Sequence, residues 1–255
     1  MMIEMQSMGF AYSGETLIFE GFDWSVARGE AWAVIGPSGC GKSTLLSLAA
    51  GLRQPTAGRV LVDGQPLTRP RPHTGLIIQD YGLLPWATIR GNAELGLNIR
   101  AFYGPDGTHA PRDYRPTQQV DPWLERLGLL AVADQYPAHV SGGQRQRAAI
   151  ARTLALQPDL LPMDEPFSSL DAPTREGLQR LTLELWAEQS LTLVVVTHWI
   201  EEAAALGQKI LVLGKTPNRQ AVVVENPGAA SPAFRETDAY QAVCRDLRAR
   251  LEEQP

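Results

Sequence analysis

The run Gly36-Pro37-Ser38-Gly39-Cys40-Gly41-Lys42-Ser43-Thr44 constrains this chain more than any other stretch. Its spacing is G-x-x-x-x-G-K-[S/T]. Residues 31–35 before it form an apolar run of strand length, and residues 45–50 after it read as a helix stopped by Gly51. A strand, a glycine-rich turn and a helix in that order let successive backbone N–H groups converge on an anion, and the helix N-terminus adds partial positive charge. The pattern is that of a phosphate-binding loop, with Lys42 reaching the terminal phosphates and the Ser43 hydroxyl placed for Mg²⁺. A dinucleotide fingerprint fails, because Gly39-Cys40-Gly41 is followed by Thr44 where a third glycine belongs. Lysine occurs only at positions 42, 209 and 215, so a lysine at this point of the pattern is not drawn from a lysine-rich background.

The chain has 255 residues, 44% of them hydrophobic, enough for one large core or a core with a subdomain. A net charge of −5 gives no support for wrapping nucleic acid. Two cysteines, Cys40 and Cys244, can make neither a disulfide framework nor a CxxC metal site, which suits a reducing compartment. No apolar run reaches membrane-spanning length, and Met1-Met2-Ile3-Glu4 does not open a signal peptide. A soluble chain that can dock on a membrane partner is expected.

Residues 3–12 and 17–26 read as strands with a turn at Ser13-Gly14, and residues 59–62 as a third strand ending at Asp63-Gly64. They predict an antiparallel patch beside the loop. Tyr12 lies near its open end, where the ring either stacks on a base or sits half-buried in the strand. Residues 76–78 form a buried-strand candidate ending on Gln79, at the carboxyl end where α/β sheets place ligand contacts. Leu83-Leu84-Pro85-Trp86 is either a core plug or a docking surface. Residues 100–119, with Gly104-Pro105-Asp106-Gly107, predict an exposed loop, and Pro122 suits the first turn of a helix over 121–127.

Ser141-Gly142-Gly143-Gln144 is a capping box that starts a helix over 145–156; its two glycines also bare a helix N-terminus to an anion. Residues 160–165 form an apolar strand ending in two acids. Asp164 suits a metal shell, and Glu165 suits polarising a water. Pro162 cannot donate to a sheet ladder, so a locally weakened strand is predicted. Residues 191–197 are the clearest buried parallel strand and end on His198, the third polar group at such an end. A helix over 200–206 and strands over 209–213 and 220–224 follow. Tyr240, Val243, Leu247 and Leu251 share the face by which a C-terminal helix packs on the domain.

In this order the motifs resemble those of the ATP-binding-cassette (ABC) ATPases, over nearly the whole chain. Gly36 to Ser43 is similar to the family's Walker A and Gln79 to its Q-loop. Val140-Ser141-Gly142-Gly143-Gln144 is similar to the signature, residues 160–165 to Walker B, Ser168-Ser169-Leu170-Asp171 to the D-loop, and His198 to the switch histidine. Residues 79–92, QDYGLLPWATIRGN, and 196–203, VTHWIEEA, resemble ATPases of nitrate, sulfonate and taurine importers of bacteria.

The resemblance implies an α/β fold with a P-loop NTPase, RecA-like core over 1–83 and 158–215 and an antiparallel β patch. It adds an inserted α-helical subdomain over 84–157 and a C-terminal extension over 216–255. It implies ATP and Mg²⁺ as ligands. Tyr12, residues 36–44, Ser141, Gly142, Gly143, Gln144 and Asp171 would contact nucleotide; Ser43, Gln79 and Asp164 the metal; Glu165, His198 and Gln79 would act in hydrolysis. Two copies would pair head to tail, each ATP lying between one copy's Walker A and the other's signature. Further implied partners are integral membrane permease subunits, docked near Leu83 to Trp86, and indirectly a solute-binding protein. The expected place is the cytoplasmic face of the inner membrane, peripherally bound, with uptake of a small solute as the output. Two other readings are a soluble cassette protein of translation or DNA repair, and a module that binds ATP without turnover. Against the first, the chain has neither a second cassette nor a long coiled coil; against the second stand Glu165 and His198. Three positions depart from the family pattern: Val140 for a usual Leu, Pro162 within an aliphatic run, and Trp199 where Asp is common.

Overall fold

The strands β1 (Ile3–Ala11) and β2 (Leu17–Val26) pair antiparallel and lead into β3 (Ala31–Ile35), which is buried at all five positions. The structure, a computed structural model, describes residues 1–13, 17–104, 119–229 and 231–252. Gly14 of the expected first turn and residues 105–118 of the expected long loop lie outside the described residues. Helix α1 (Lys42–Ala49) follows the glycine-rich loop, and β4 (Ala57–Val62) and β5 (Gln65–Pro66) complete a four-stranded antiparallel sheet in the order β2-β1-β4-β5.

Helices α2 (Ile89–Tyr103), α3 (Asp121–Arg126) and α4 (Gly142–Leu154) come next among the described residues. The Thr88 side chain caps α2, and the helix runs to Tyr103, so residues 100–103 are helical rather than part of a loop. Helix α4 begins three residues before the expected position, with both glycines inside its first turn. The second sheet is then built from β6 (Leu160–Asp164), β7 (Thr192–Val196), β8 (Lys209–Val212) and β9 (Val222–Glu225), with α5 (Ala172–Gln189) and α6 (Ile200–Leu206) as crossovers. Its order is β6-β7-β3-β8-β9, parallel except for β9. Helices cover both faces, which is why β3 and β7 read as unbroken apolar runs.

The buried strand expected at residues 76–78 does not form. Two isolated bridges, Thr74 to Leu160 and Ile77 to Met163, stand in its place, and Ile78 is exposed. Pro162 explains this. On that side of β6, His73 O accepts from Asp159 N, and Ile77 O accepts from Asp164 N at 2.8 Å. The donor between them would be the N–H of residue 162, aimed at Gly75 O, and proline has none. On the other side β6 pairs with β7 at all five positions. The predicted weakening therefore falls on the neighbouring segment.

Three apolar clusters hold the layers. Between the two sheets, Phe19, Phe22, Trp24 and Met8 pack on Leu45 and Leu48 of α1. Under the helices, Ile89, Leu124, Ile150 and Leu154 pack on Met163 and Leu193. Beyond β3 and β8, Ala203 and Ile210 meet Tyr240, Cys244 and Leu247 of the last helix, α7 (Asp238–Glu252). Each fully buried large apolar side chain contributes about 1.5–3 kcal/mol. The C-terminal face thus packs on its own domain, with Val243 and Leu251 at its margin. No helix among the described residues is long and apolar enough to cross a membrane.

Candidate functional site

The loop at the carboxyl end of β3 is held by close packing and by one amide. A Cβ at Gly41 would lie 2.4 Å from Ile18 Cγ2, and its φ of 104° is left-handed, so only glycine fits. A Cβ at Gly36 would meet Leu213 O at 2.6 Å. The buried Asn218 donates from Nδ2 to Cys40 O at 2.8 Å and accepts from Gly214 N at 2.8 Å, pinning the loop to the segment after β8. Sequence reasoning missed Asn218, which lies in no recognisable motif. Cys40 is buried, and burial pushes its thiol above its ordinary pKa, so its place here is packing. Lys42, only 8% exposed, donates from Nζ to Gly36 O at 2.8 Å and Pro37 O at 3.0 Å.

A cleft of about 580 Å³ opens over this loop, lined by Ser38, Lys42, Ser43, Thr44, Glu165 and His198, with Tyr12 and Ile18 at its rim. The loop, one of the two acids and the histidine come from three strand ends and meet there. Gln79 is exposed at the end of the interrupted edge segment and does not line the cleft.

Glu165 has a φ of 44°, in the left-handed region, a conformation that costs about 1–3 kcal/mol for a non-glycine residue. Its N–H donates to Val196 O at 2.9 Å, and its carbonyl accepts from Ser168 Oγ at 3.0 Å, so both peptide groups are fixed. The turn aims the carboxylate at His198, whose Nδ1 lies 3.0 Å from Glu165 Oε2. A carboxylate only accepts, so this contact places the imidazole proton on Nδ1.

Asp164 is more enclosed. Burial pushes its carboxyl above the ordinary range; the Ser43 hydroxyl opposes this, the Glu165 charge adds to it, and Lys42 opposes it weakly. Its Oδ1 is buried with no hydrogen-bond partner among the described residues. An orphaned carboxylate oxygen beside a Ser hydroxyl fits a hard, oxygen-seeking divalent cation. No group of three or more His, Cys, Asp or Glu side chains able to hold a metal occurs among the described residues, so phosphate oxygens and water would supply the remaining positions.

Tyr12 is half-buried. Its hydroxyl shares a 3.0 Å hydrogen bond with Thr44 Oγ1, Phe10 meets the ring edge-on at 5.1 Å, and the Arg53 guanidinium lies 4.7 Å from the ring centroid. One ring face is therefore already covered by Arg53, a contact no sequence pattern announced.

Ser141, Gly142, Gly143 and Gln144 do not reach this cleft. The capping box forms in full: Ser141 Oγ accepts from Gln144 N at 3.2 Å, and Gln144 Oε1 accepts from Ser141 N at 2.8 Å. The glycines pack instead on the turn before α5, where a Cβ on Gly142 would lie 3.4 Å from Leu170 and one on Gly143 would meet Thr174 at 2.6 Å. Asp171 caps α5 by accepting from Thr174 N at 3.3 Å. The Thr174 side chain, and then its N–H, hold the Asp171 carboxyl below the usual range. Tyr81 reaches the same turn through a hydrogen bond to Ser169.

The family model described as ABC transporter matches residues 19–168. The chain is 42% identical over 217 residues to the taurine import ATP-binding protein TauB of Pseudomonas aeruginosa, covering 85% of this chain and 79% of that protein. It is 34% identical over 240 residues to the aliphatic sulfonates import ATP-binding protein SsuB of Bacillus cereus, covering 94% and 90%. Among solved structures it is similar to the dimeric post-hydrolysis state of the ATP-binding cassette MJ0796 bound to ADP and Pi. That match has a TM-score of 0.72 at 28% identity, over 88% of this chain and 98% of that one.

Proposed function

The chain belongs to the ABC transporter family, and from that membership we propose that it is the ATP-hydrolysing subunit of a bacterial importer for a small sulfonate-like solute. The observation that carries the reading is the single cleft that joins the phosphate-binding loop to Glu165 and His198. The loop amides and Lys42 hold the phosphates, the Lys42 ammonium exchanging its bonds to Gly36 and Pro37 carbonyls for phosphate oxygens. Ser43 and Asp164 would hold Mg²⁺, which would supply positive charge against the phosphates. Glu165 accepts a proton from the attacking water, and His198 holds the γ-phosphate and the water in line. Tyr12 supports the base, with Arg53 displaced from the ring or closing over the other side.

Placement of the Ser141 helix away from this cleft supports a second copy as the source of the missing half-site, which Ser141 and Gly143 would complete from across a head-to-tail interface. Gln79 sits on the segment between the core and the helices and would register nucleotide state to membrane permease subunits docked near Trp86, which is 74% exposed. A chain so assembled works peripherally on the cytoplasmic face of the membrane. The solute class follows from the names of the relatives, and a solute-binding protein would deliver it.

The test is Glu165→Gln. The variant binds ATP, hydrolyses it at least about a hundredfold more slowly, and accumulates as an ATP-bound dimer in light scattering. Turnover near the parent rate rejects the assignment. For the solute, a strain lacking the chain grows on sulfate but not on a sulfonate as sole sulfur source; growth on both removes the solute class alone.

A further inference from the structure

His198 and the turn before α5 belong to different chain segments, and one pair of side chains joins them. The Arg175 guanidinium lies over the Trp199 ring, 4.9 Å from its centroid, and donates from Nη2 to Leu170 O at 2.8 Å. Trp199 follows His198 directly, with ring centroids 5.2 Å apart, and its N–H is fixed by Thr197 Oγ1 at 3.0 Å. Arg175 Nε is buried with no hydrogen-bond partner among the described residues, so the guanidinium is placed by its bond to Leu170 O, the indole face and the charge of the buried Glu202 carboxylate. Leu170 in turn packs against Gly142. The contacts run without a break from the Ser141 helix through Leu170, Arg175 and Trp199 to His198.

We propose that Arg175 and Trp199 form a positioning pair that sets His198 according to the place of the Leu170 turn. The proposal rests on the reading above, in which His198 acts on the γ-phosphate and the Ser141 helix meets the partner's nucleotide. It also accounts for the Trp199 departure. A carboxylate at this position would meet Arg175 as an ion pair; the indole offers its π face to the same cation, with less dependence on ionic strength. Neither residue touches substrate, and both act through His198.

The experiment is single-turnover ATP hydrolysis by the purified chain with Mg²⁺, run with nucleotide affinity and a thermal melt for every variant. Trp199→Ala lowers the rate constant about two- to fivefold, the range of a cation–π contact, at unchanged ATP affinity and melting temperature. Trp199→Phe keeps most of the rate. Trp199→Asp restores it at low ionic strength and loses it at high ionic strength, and only while Arg175 is present; in an Arg175→Ala background it restores nothing. Rescue by Trp199→Asp without Arg175, or a parent rate in Trp199→Ala, overturns the pair and leaves the ATPase reading standing. A parent chain that binds ATP and hydrolyses none overturns both.

Discussion

His198 and Glu165 face each other across the ends of two adjacent strands, Nδ1 3.0 Å from Oε2, with Glu165 held there in a left-handed turn. The strained backbone and the histidine contact fix the carboxylate before any ligand arrives, so less reorganisation remains for the chemical step. His198→Ala is expected to lower the hydrolysis rate by about two orders of magnitude while ATP affinity stays within about twofold. Because the His198 side chain is 46% exposed, the melting temperature should hold. Single-turnover rates beside an equilibrium nucleotide titration check this; a parallel loss of affinity would place His198 in ground-state binding instead.

Pro162 is the next lever. Replacing it by Leu returns an N–H opposite Gly75 O, and a net hydrogen bond is worth about 0.5–1.5 kcal/mol. In a chain of this size that corresponds to a rise of roughly 1–6 °C in melting temperature. The residue is buried, so the larger side chain must repack beside Val194, its partner on β7. A melt that falls refutes the missing-rung account of the edge segment.

Glu202 governs a pH dependence. It is 3% exposed on α6, both carboxylate oxygens lack hydrogen-bond partners among the described residues, and burial pushes its pKa up from 4.5 to about 7. The charge of Arg175, the hydrogen-bonding side chains of Thr197 and Gln179, and the charge of Arg235 oppose that rise. Between about 4.5 and 7 the folded chain keeps a proton that the unfolded chain has released, so stability falls as pH rises through this window. Above it the group is ionised in both states and the full cost, about 3 kcal/mol, is in place. Glu202→Gln should therefore match the parent in urea at pH 4 and exceed it at pH 8. Equal stabilities at pH 8 would falsify this account.

Parts of this molecule were open to reading in the chain itself because their causes are local. The loop at Gly36 to Thr44, the Ser141 and Gln144 cap, and the run that became β7 each depend on residues within one or two turns. Helix α5 has a weaker signal. Its inward positions are Leu178, Gln179, Thr182 and Leu185, and two polar residues among four blunt the apolar period. Its start, Asp171 followed by Pro173, was a usable signal. Residues 76–78 carry a strand's apolar run yet form only isolated bridges, because the missing donor belongs to Pro162, distant in sequence. Arg53 over Tyr12 and Asn218 under Cys40 likewise join residues that no short pattern connects.

The gap between Pro162 and Gly75 has a mechanical side. The segment that ends at Gln79 still donates to β6 from Gly75 N (to Leu160 O, 2.8 Å) and Ile77 N (to Pro162 O, 3.0 Å), and lacks only the rung at Gly75 O, while the ladder from β6 to β7 is complete. One five-residue strand is thus held unequally on its two sides: Asp164 keeps its register with Val196 on β7, and the side that leads to Gln79 is one donor short.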